Sequence, residues 1–224
     1  MRGQSYGLGL LLMVVFLLGG CAAGQMDDVE PSGFLVDYSL LTPGGEDRAA
    51  LTYVDPKVDF KNYDALMFDR VSVWLSPEAE ISDVDPAVFK KMSDYFLNAL
   101  VKAVEDGYTV VDQPGPNVIR VRAAITDVEP SDPVAKALSV DNIGTGGAEA
   151  EIELLDSMSS ERLAAAVDSR RGGKPASRAV WEDTKDAFDY WARRFRERLD
   201  ALVAAVSRER LVLDLSCRGR EGRY

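Results

Sequence analysis

The chain is 224 residues long, 46% hydrophobic and 28% charged, with two Cys and no His. It is too apolar to be disordered and too poor in Cys to be a disulfide scaffold, and its length suits one domain burying about 70% of its unfolded surface. Without His, no Ser-His-Asp triad, Cys-His pair or His-ligated zinc can be assembled from this chain alone. A net charge of −11 argues against general nucleic-acid binding, which needs a basic face.

Residues 1–20 read as a signal peptide. Arg2 and the amino terminus make a short positive region, and the uncharged run from Gly7 to Gly20 is shorter than the roughly 20 residues a spanning helix needs. The run ends in Leu18-Gly19-Gly20-Cys21, which matches the lipobox of bacterial lipoproteins. In that class the Cys21 thiol receives a diacylglycerol, the leader is cut before it, and the new amine is acylated, with palmitate a typical chain. Several acyl chains on one residue make a stable anchor, because each buried CH₂ contributes about 0.8 kcal/mol. Ala22, rather than Asp, at the next position directs such proteins to the outer membrane, so the expected location is its periplasmic face. Residues 21–33 read as the lipidated Cys and an acidic tether whose flexible span is about 20 Å, and residues 34–224 as one α+β periplasmic domain.

Within the domain, Leu51–Val54 and Ala65–Leu75 are rich in β-branched and aromatic residues and read as strands. Asp85-Pro86 supplies an N-cap followed by Pro at the first helical position, and Phe89, Met92, Phe96, Leu97, Leu100, Val101 and Val104 recur at helical spacing up to Gly107. Tyr108–Val111 reads as a short strand. Asn117–Val128 alternates, with Ile119, Val121, Ala123 and Ile125 opposed to Arg120, Arg122 and Thr126. Ala148–Leu154 alternates too, setting Glu149, Glu151 and Glu153 against Ala148, Ala150, Ile152 and Leu154. A turn at Asp156–Ser160 leads into Arg162–Val167, predicting a hairpin. A last helix over 180–206 carries Trp181, Phe188, Trp191, Phe195, Leu199 and Leu202 on one stripe. The order β-β-α-β-β-β-β-α predicts an α+β fold, a largely antiparallel sheet with two long helices packed on one face. The other face is expected to be solvated and knitted by Arg–Glu pairs across strands.

Ser32-Gly33-Phe34-Leu35 with Asp37-Tyr38-Ser39, Tyr53-Val54-Asp55-Pro56, Tyr63-Asp64, Ala148-Glu149-Ala150-Glu151 through Leu155-Asp156-Ser157, and Ala187-Phe188 with Trp191-Ala192 give the chain its likeness to known sequences. Through them the chain resembles a family of bacterial lipoproteins known as domain of unknown function 3313, over about residues 32–203. That resemblance implies no activity, substrate or catalytic residue.

Four clusters are weighed for chemistry. Glu149, Glu151 and Glu153 would stand about 6.5–7 Å apart along a strand, a spacing inverting glycosidases use, but on an open face with Arg partners they read as surface charge. Glu78, Glu80, Asp83 and Asp85 lack the glycine turn and spacing of a calcium loop, so no metal site is expected. Cys217, the thiol left once Cys21 is lipidated, sits beside Arg218 and Arg220 and reads as an unpaired residue near the terminus. The aromatic stripe of the last helix has the spacing of a core face. The candidate interaction patch is basic: Arg170, Arg171, Lys174, Arg178, Arg193, Arg194 and Arg198. It stands out because residues 21–113 carry 7 basic and 18 acidic side chains, against 18 and 19 in residues 114–224. The sequence therefore predicts a non-enzymatic outer-membrane lipoprotein, with no cofactor and no nucleic acid, attached to the membrane through its N-terminal lipid and acting on an envelope protein partner. A small-ligand or lipid binder with a pocket between helices and sheet is the alternative, and a carboxylate- or metal-dependent hydrolase a third.

Overall fold

A computed structural model describes residues 29, 31–45, 48–75, 85–130, 146–172 and 180–218, with side chains to residue 204. The lipobox Leu18-Gly19-Gly20-Cys21, the first part of the tether, Glu78, Glu80, Asp83, Lys174 and Arg178 lie outside the described residues. The strands are β1 (Thr42–Pro43), β2 (Leu51–Val54), β3 (Ala65–Phe68), β4 (Ser72–Val73), β5 (Thr109–Val111), β6 (Val118–Glu129), β7 (Gly147–Asp156) and β8 (Arg162–Arg171). Among the described residues the helices are α1 (Pro86–Val104), α2 (Glu182–Arg218) and a 3-10 turn at Phe60–Asn62. The strands form one open sheet in the order β1-β2-β8-β7-β6-β3-β5, with β4 also on β6. The α+β class and the two helices on one face stand as expected.

Local chemistry accounts for the elements. The Asp85 carboxylate accepts the Ala87 N–H at 2.8 Å, capping α1 behind Pro86. The β7–β8 hairpin turns on Asp156, whose Oδ1 accepts the N–H groups of Met158 and Ser159 at 2.9 and 2.8 Å while Tyr63 donates to its Oδ2 at 2.9 Å. These donors, the Ser159 backbone first, hold the Asp156 carboxyl below its ordinary value. α2 continues past the expected end at 206 because Ser207–Arg218 contains neither Gly nor Pro, and Gly219 follows.

Two features differ from the expectation. The strand predicted over 65–75 is two short strands, since the chain leaves the ladder at Asp69-Arg70, where the Asp69 carboxylate takes the Arg120 guanidinium through two nitrogens at 2.7–3.1 Å. The sheet is largely antiparallel as expected, from β1 to β6, but carries a parallel side the sequence did not predict, with β3 and β4 parallel to β6 and β3 parallel to β5.

The larger correction concerns the face opposite the helices, which is covered. Residues 32–41 cross it, and Phe34 and Leu35 pack against Ala124, Ala165 and Val167. Glu151 is fully buried beneath this segment and Glu153 is 3% exposed. On the helix side, Phe96 of α1 stacks on Phe188 of α2 with ring centroids 4.7 Å apart, and both rings meet Trp191. The aromatic stripe is core, as its spacing predicts.

Candidate functional site

Helix count and sheet width together leave a groove. Seven strands abreast span about 29 Å at roughly 4.8 Å per strand, while two packed helices cover roughly 20 Å. α1 packs over β6, α2 lies over β7 and reaches β8, and the β8–β2 edge has no helix of its own among the described residues. The strand residues facing this uncovered strip are small: Ala164 and Ala166 of β8, beside Thr52 of β2, with Ile152 and Leu154 of β7 closing toward the helix. α2 supplies the wall with Trp191, Phe195, Leu199 and Leu202. The result is an apolar groove of about 350 Å³, within the size range of small-molecule sites.

A buried pair fixes its inner end. The Trp191 indole donates to Asp168 Oδ2 at 2.7 Å, and the Ala50 N–H donates to Oδ1 at 3.1 Å. Burial pushes the Asp168 carboxyl above its ordinary value, partly offset by those donors. This carboxylate therefore orients the indole and anchors the start of β2. At the mouth stand Arg48, Arg194 and Arg198. Burial first, and then the charges of Arg194 and Arg48, pull the Arg198 guanidinium below its ordinary value.

The structure divides the basic patch read from the sequence. Arg194 and Arg198 reach the groove. Arg170 stacks on the Tyr190 ring at 3.5 Å, and Arg193 approaches the same ring at 5.4 Å. Arg171 pairs with Glu129 at 3.1 Å. Arg48, which completes the cluster at the groove, carries no sequence signal, because it lies in an acidic half of the chain and comes close only through the β2–β8 pairing. Cys217 falls on the α2 backbone, its side chain outside the described residues.

The three glutamates are not an open carboxylate face. Glu151 accepts the Ser32 N–H at 2.9 Å and the Tyr38 hydroxyl at 2.6 Å. Glu153 is held by Arg122 and by Arg162, whose Nε donates at 3.1 Å. Glu149 is half-buried, and burial raises its carboxyl above its ordinary value. A wider polar cleft of about 1060 Å³ lies on this side between residues 34–40 and the sheet. Of its arginines, Arg120 is paired with Asp69, and Arg122 and Arg162 with Glu153, while Arg194 at the groove is likewise paired, with Glu197 at 2.7 Å. Among the described residues no three His, Cys, Asp or Glu side chains are grouped to hold a metal, and no helix is long and apolar enough to cross a membrane.

Comparison with known proteins places the chain. It is 29% identical over 133 residues to the uncharacterized lipoprotein YdcL of Escherichia coli, an alignment covering 58% of this chain and 60% of that protein. The chain thus spans less than two thirds of the length of the curated relatives it matches. Among solved structures it is similar to the PelC dodecamer from Paraburkholderia phytofirmans (TM-score 0.40, 10% identity, covering 63% of this chain and 94% of that one). It is also similar to XCC0632 from Xanthomonas campestris, of family DUF330 (TM-score 0.38, 15% identity, covering 69% and 94%). Likenesses of this order carry no argument about function. The family described as protein of unknown function (DUF3313) matches residues 30–195, in agreement with the resemblance carried by Ser32–Leu35, Glu149–Glu151 and Trp191-Ala192. The chain belongs to the DUF3313 family.

Proposed function

We propose that this is a non-enzymatic lipoprotein, held through acylated Cys21 at the periplasmic face of the outer membrane, whose domain works by binding an apolar small ligand in the groove between α2 and β8–β2. The observation that carries this reading is the groove itself: an apolar cleft of about 350 Å³ with an alanine floor and a positioned indole. A reading of one compact domain that simply meets an envelope protein does not account for it. The sequence Leu18-Gly19-Gly20-Cys21 and the YdcL homologue support the lipoprotein assignment, and Ala22 supports the outer membrane over the inner.

The test is mass spectrometry of the protein isolated from its own membranes under non-denaturing conditions. A discrete bound mass is expected in the natural chain and is expected to disappear in Ala166→Phe, which fills the floor. Absence of any bound small molecule from the natural protein, with the groove unoccupied after incubation with a total lipid extract, would remove the basis of the reading.

Contact with an envelope protein is a second reading, favoured by a different surface. Val36 and Leu40 on the segment crossing the far face are 87% and 52% exposed. Crosslinking in intact cells from a probe at Val36 should then yield one dominant protein, whereas scattered low-yield products would count against it.

A further inference from the structure

We propose that the segment crossing the far face, residues 32–41, seats the domain on the phospholipid surface that carries its anchor, with Val36 and Leu40 entering the lipid and Trp74 at the interface. The inference rests on the acylation of Cys21 in the proposed function and adds which face of the domain meets the bilayer.

Three observations carry it. The chain enters the domain on this face, where Val29 packs against the cluster that holds Phe34 and Leu35. From Cys21 to Val29, eight residues on, the chain can span at most about 29 Å. α1 and α2 lie on the opposite side of the sheet, so a tether this short turns the far face toward the bilayer and keeps it there at high effective concentration. The backbone also presents an apolar side chain outward. Val36 has φ +64°, an outlier for a β-branched residue, and Arg162 fixes the turn by donating to the carbonyls of Leu35 and Asp37. Val36 is 87% exposed, so packing within the domain does not offset the cost of that conformation, whereas burial in lipid would. Leu40 on the same segment is 52% exposed. Trp74 flanks the start of the segment. It is 49% exposed, meets the Phe34 ring edge-on at 6.2 Å, and its indole donates to the Ser32 carbonyl at 3.1 Å. An indole's apolar body and polar edge suit a membrane interface. The cleft beside Val36 and Leu40 is lined by five basic and five acidic side chains, so apolar insertion and not net charge is the driving force.

The experiment uses the full acylated chain in vesicles of phosphatidylethanolamine and phosphatidylglycerol. With Cys21 acylated, Cys217→Ser leaves a single thiol for a fluorophore, introduced by Ser39→Cys on the segment or by Lys91→Cys on the exposed side of α1. Quenching by a phospholipid with a nitroxide on its acyl chain reports contact with the lipid interior. Strong quenching is expected from the Ser39 position and little from the Lys91 position. Val36→Asp with Leu40→Asp should lower the docked-to-free ratio at least about tenfold, because each removes an apolar side chain from lipid. Both side chains are exposed and Asp tolerates positive φ, so circular dichroism should show the fold retained. High salt should leave the quenching unchanged. Equal quenching at the two positions, or none at either on protein that stays with the vesicles, would overturn the docked face while leaving the lipoprotein reading standing. Quenching lost in high salt would overturn insertion in favour of charge. One dominant protein crosslinked from a probe at Val36 in intact cells, with no lipid adduct, would overturn the inference in favour of a protein contact. A chain that takes no acyl group in cells would sink both this inference and the lipoprotein reading.

Discussion

The most searching test of the architecture is the contact that the sequence misreads, the buried Glu151 beneath residues 32–38. Its two oxygens accept from Ser32 N–H at 2.9 Å and Tyr38 O–H at 2.6 Å, and the Tyr38 oxygen in turn accepts the N–H groups of Gly33 and Leu35 at 2.9 and 3.2 Å. Burial and the bond to Glu151 hold the Tyr38 hydroxyl above its ordinary value, so it stays a donor at neutral pH. Tyr38→Phe removes the hydrogen bond to the carboxylate, leaving its oxygen without that donor, and also leaves the Gly33 and Leu35 N–H groups without their acceptor, a loss of about 2–4 kcal/mol. Glu151→Gln keeps the shape but turns an amide nitrogen toward one of two donors, a loss of about 2–4 kcal/mol. Because the two residues share one bond, the double variant should fall short of the sum by about 1–2 kcal/mol. Urea unfolding of the four proteins gives the cycle directly, provided the slope of each transition is the same. Additivity within about 0.5 kcal/mol would show that the segment is not fastened to the sheet through this carboxylate, and the account of the covered face would fail.

Other consequences follow from the same structure. Burial raises the Asp168 carboxyl, so between its ordinary value of 3.8 and the raised native one the folded chain holds the extra proton and stability falls as pH rises. Asp168→Asn should therefore look worst near pH 3 and gain on the natural protein as pH climbs through that window in urea titrations. A constant difference would contradict the sign. Val36 has φ +64° in a turn gripped by Arg162, which donates to the carbonyls of Asp37, at 2.6 Å, and Leu35. Val36→Gly should relieve that backbone and stabilise by up to about 1 kcal/mol by thermal melting, whereas a loss would show the strain to be absent. Radiolabelled palmitate should be incorporated by the natural protein and not by Cys21→Ser, and Ala22→Asp should move the protein to the inner-membrane fraction on density gradients.

The residues that carry the likeness to DUF3313 turn out to be largely fastenings. Ser32 and Tyr38 meet Glu151, Tyr63 meets Asp156, and Trp191 meets Asp168. Periodicity could not show this, because each pair joins positions that are between 23 and 119 residues apart. Alternation in Ala148–Leu154 correctly assigns which residues share a face of β7, since neighbouring side chains along a strand point to opposite faces whatever surrounds them. It says nothing of what covers a face. The charged row was read as solvated because Glu is usually exposed, yet a segment from the amino-terminal side covers it and supplies the donors to Glu151, while Arg122 and Arg162 supply those to Glu153.

What the sequence alone determined about this protein is local or additive: the Asp85-Pro86 helix start, the alternating strands, the aromatic core stripe and the α+β class. These follow from backbone geometry and side-chain spacing within a few residues. Only the tertiary structure decided that two helices cannot cover a sheet seven strands wide, that Ala164 and Ala166 therefore floor a groove, and that Arg48 joins Arg194 and Arg198 at its mouth. Those outcomes depend on strand order and on which chain segments meet across the fold, and no window along the sequence contains them.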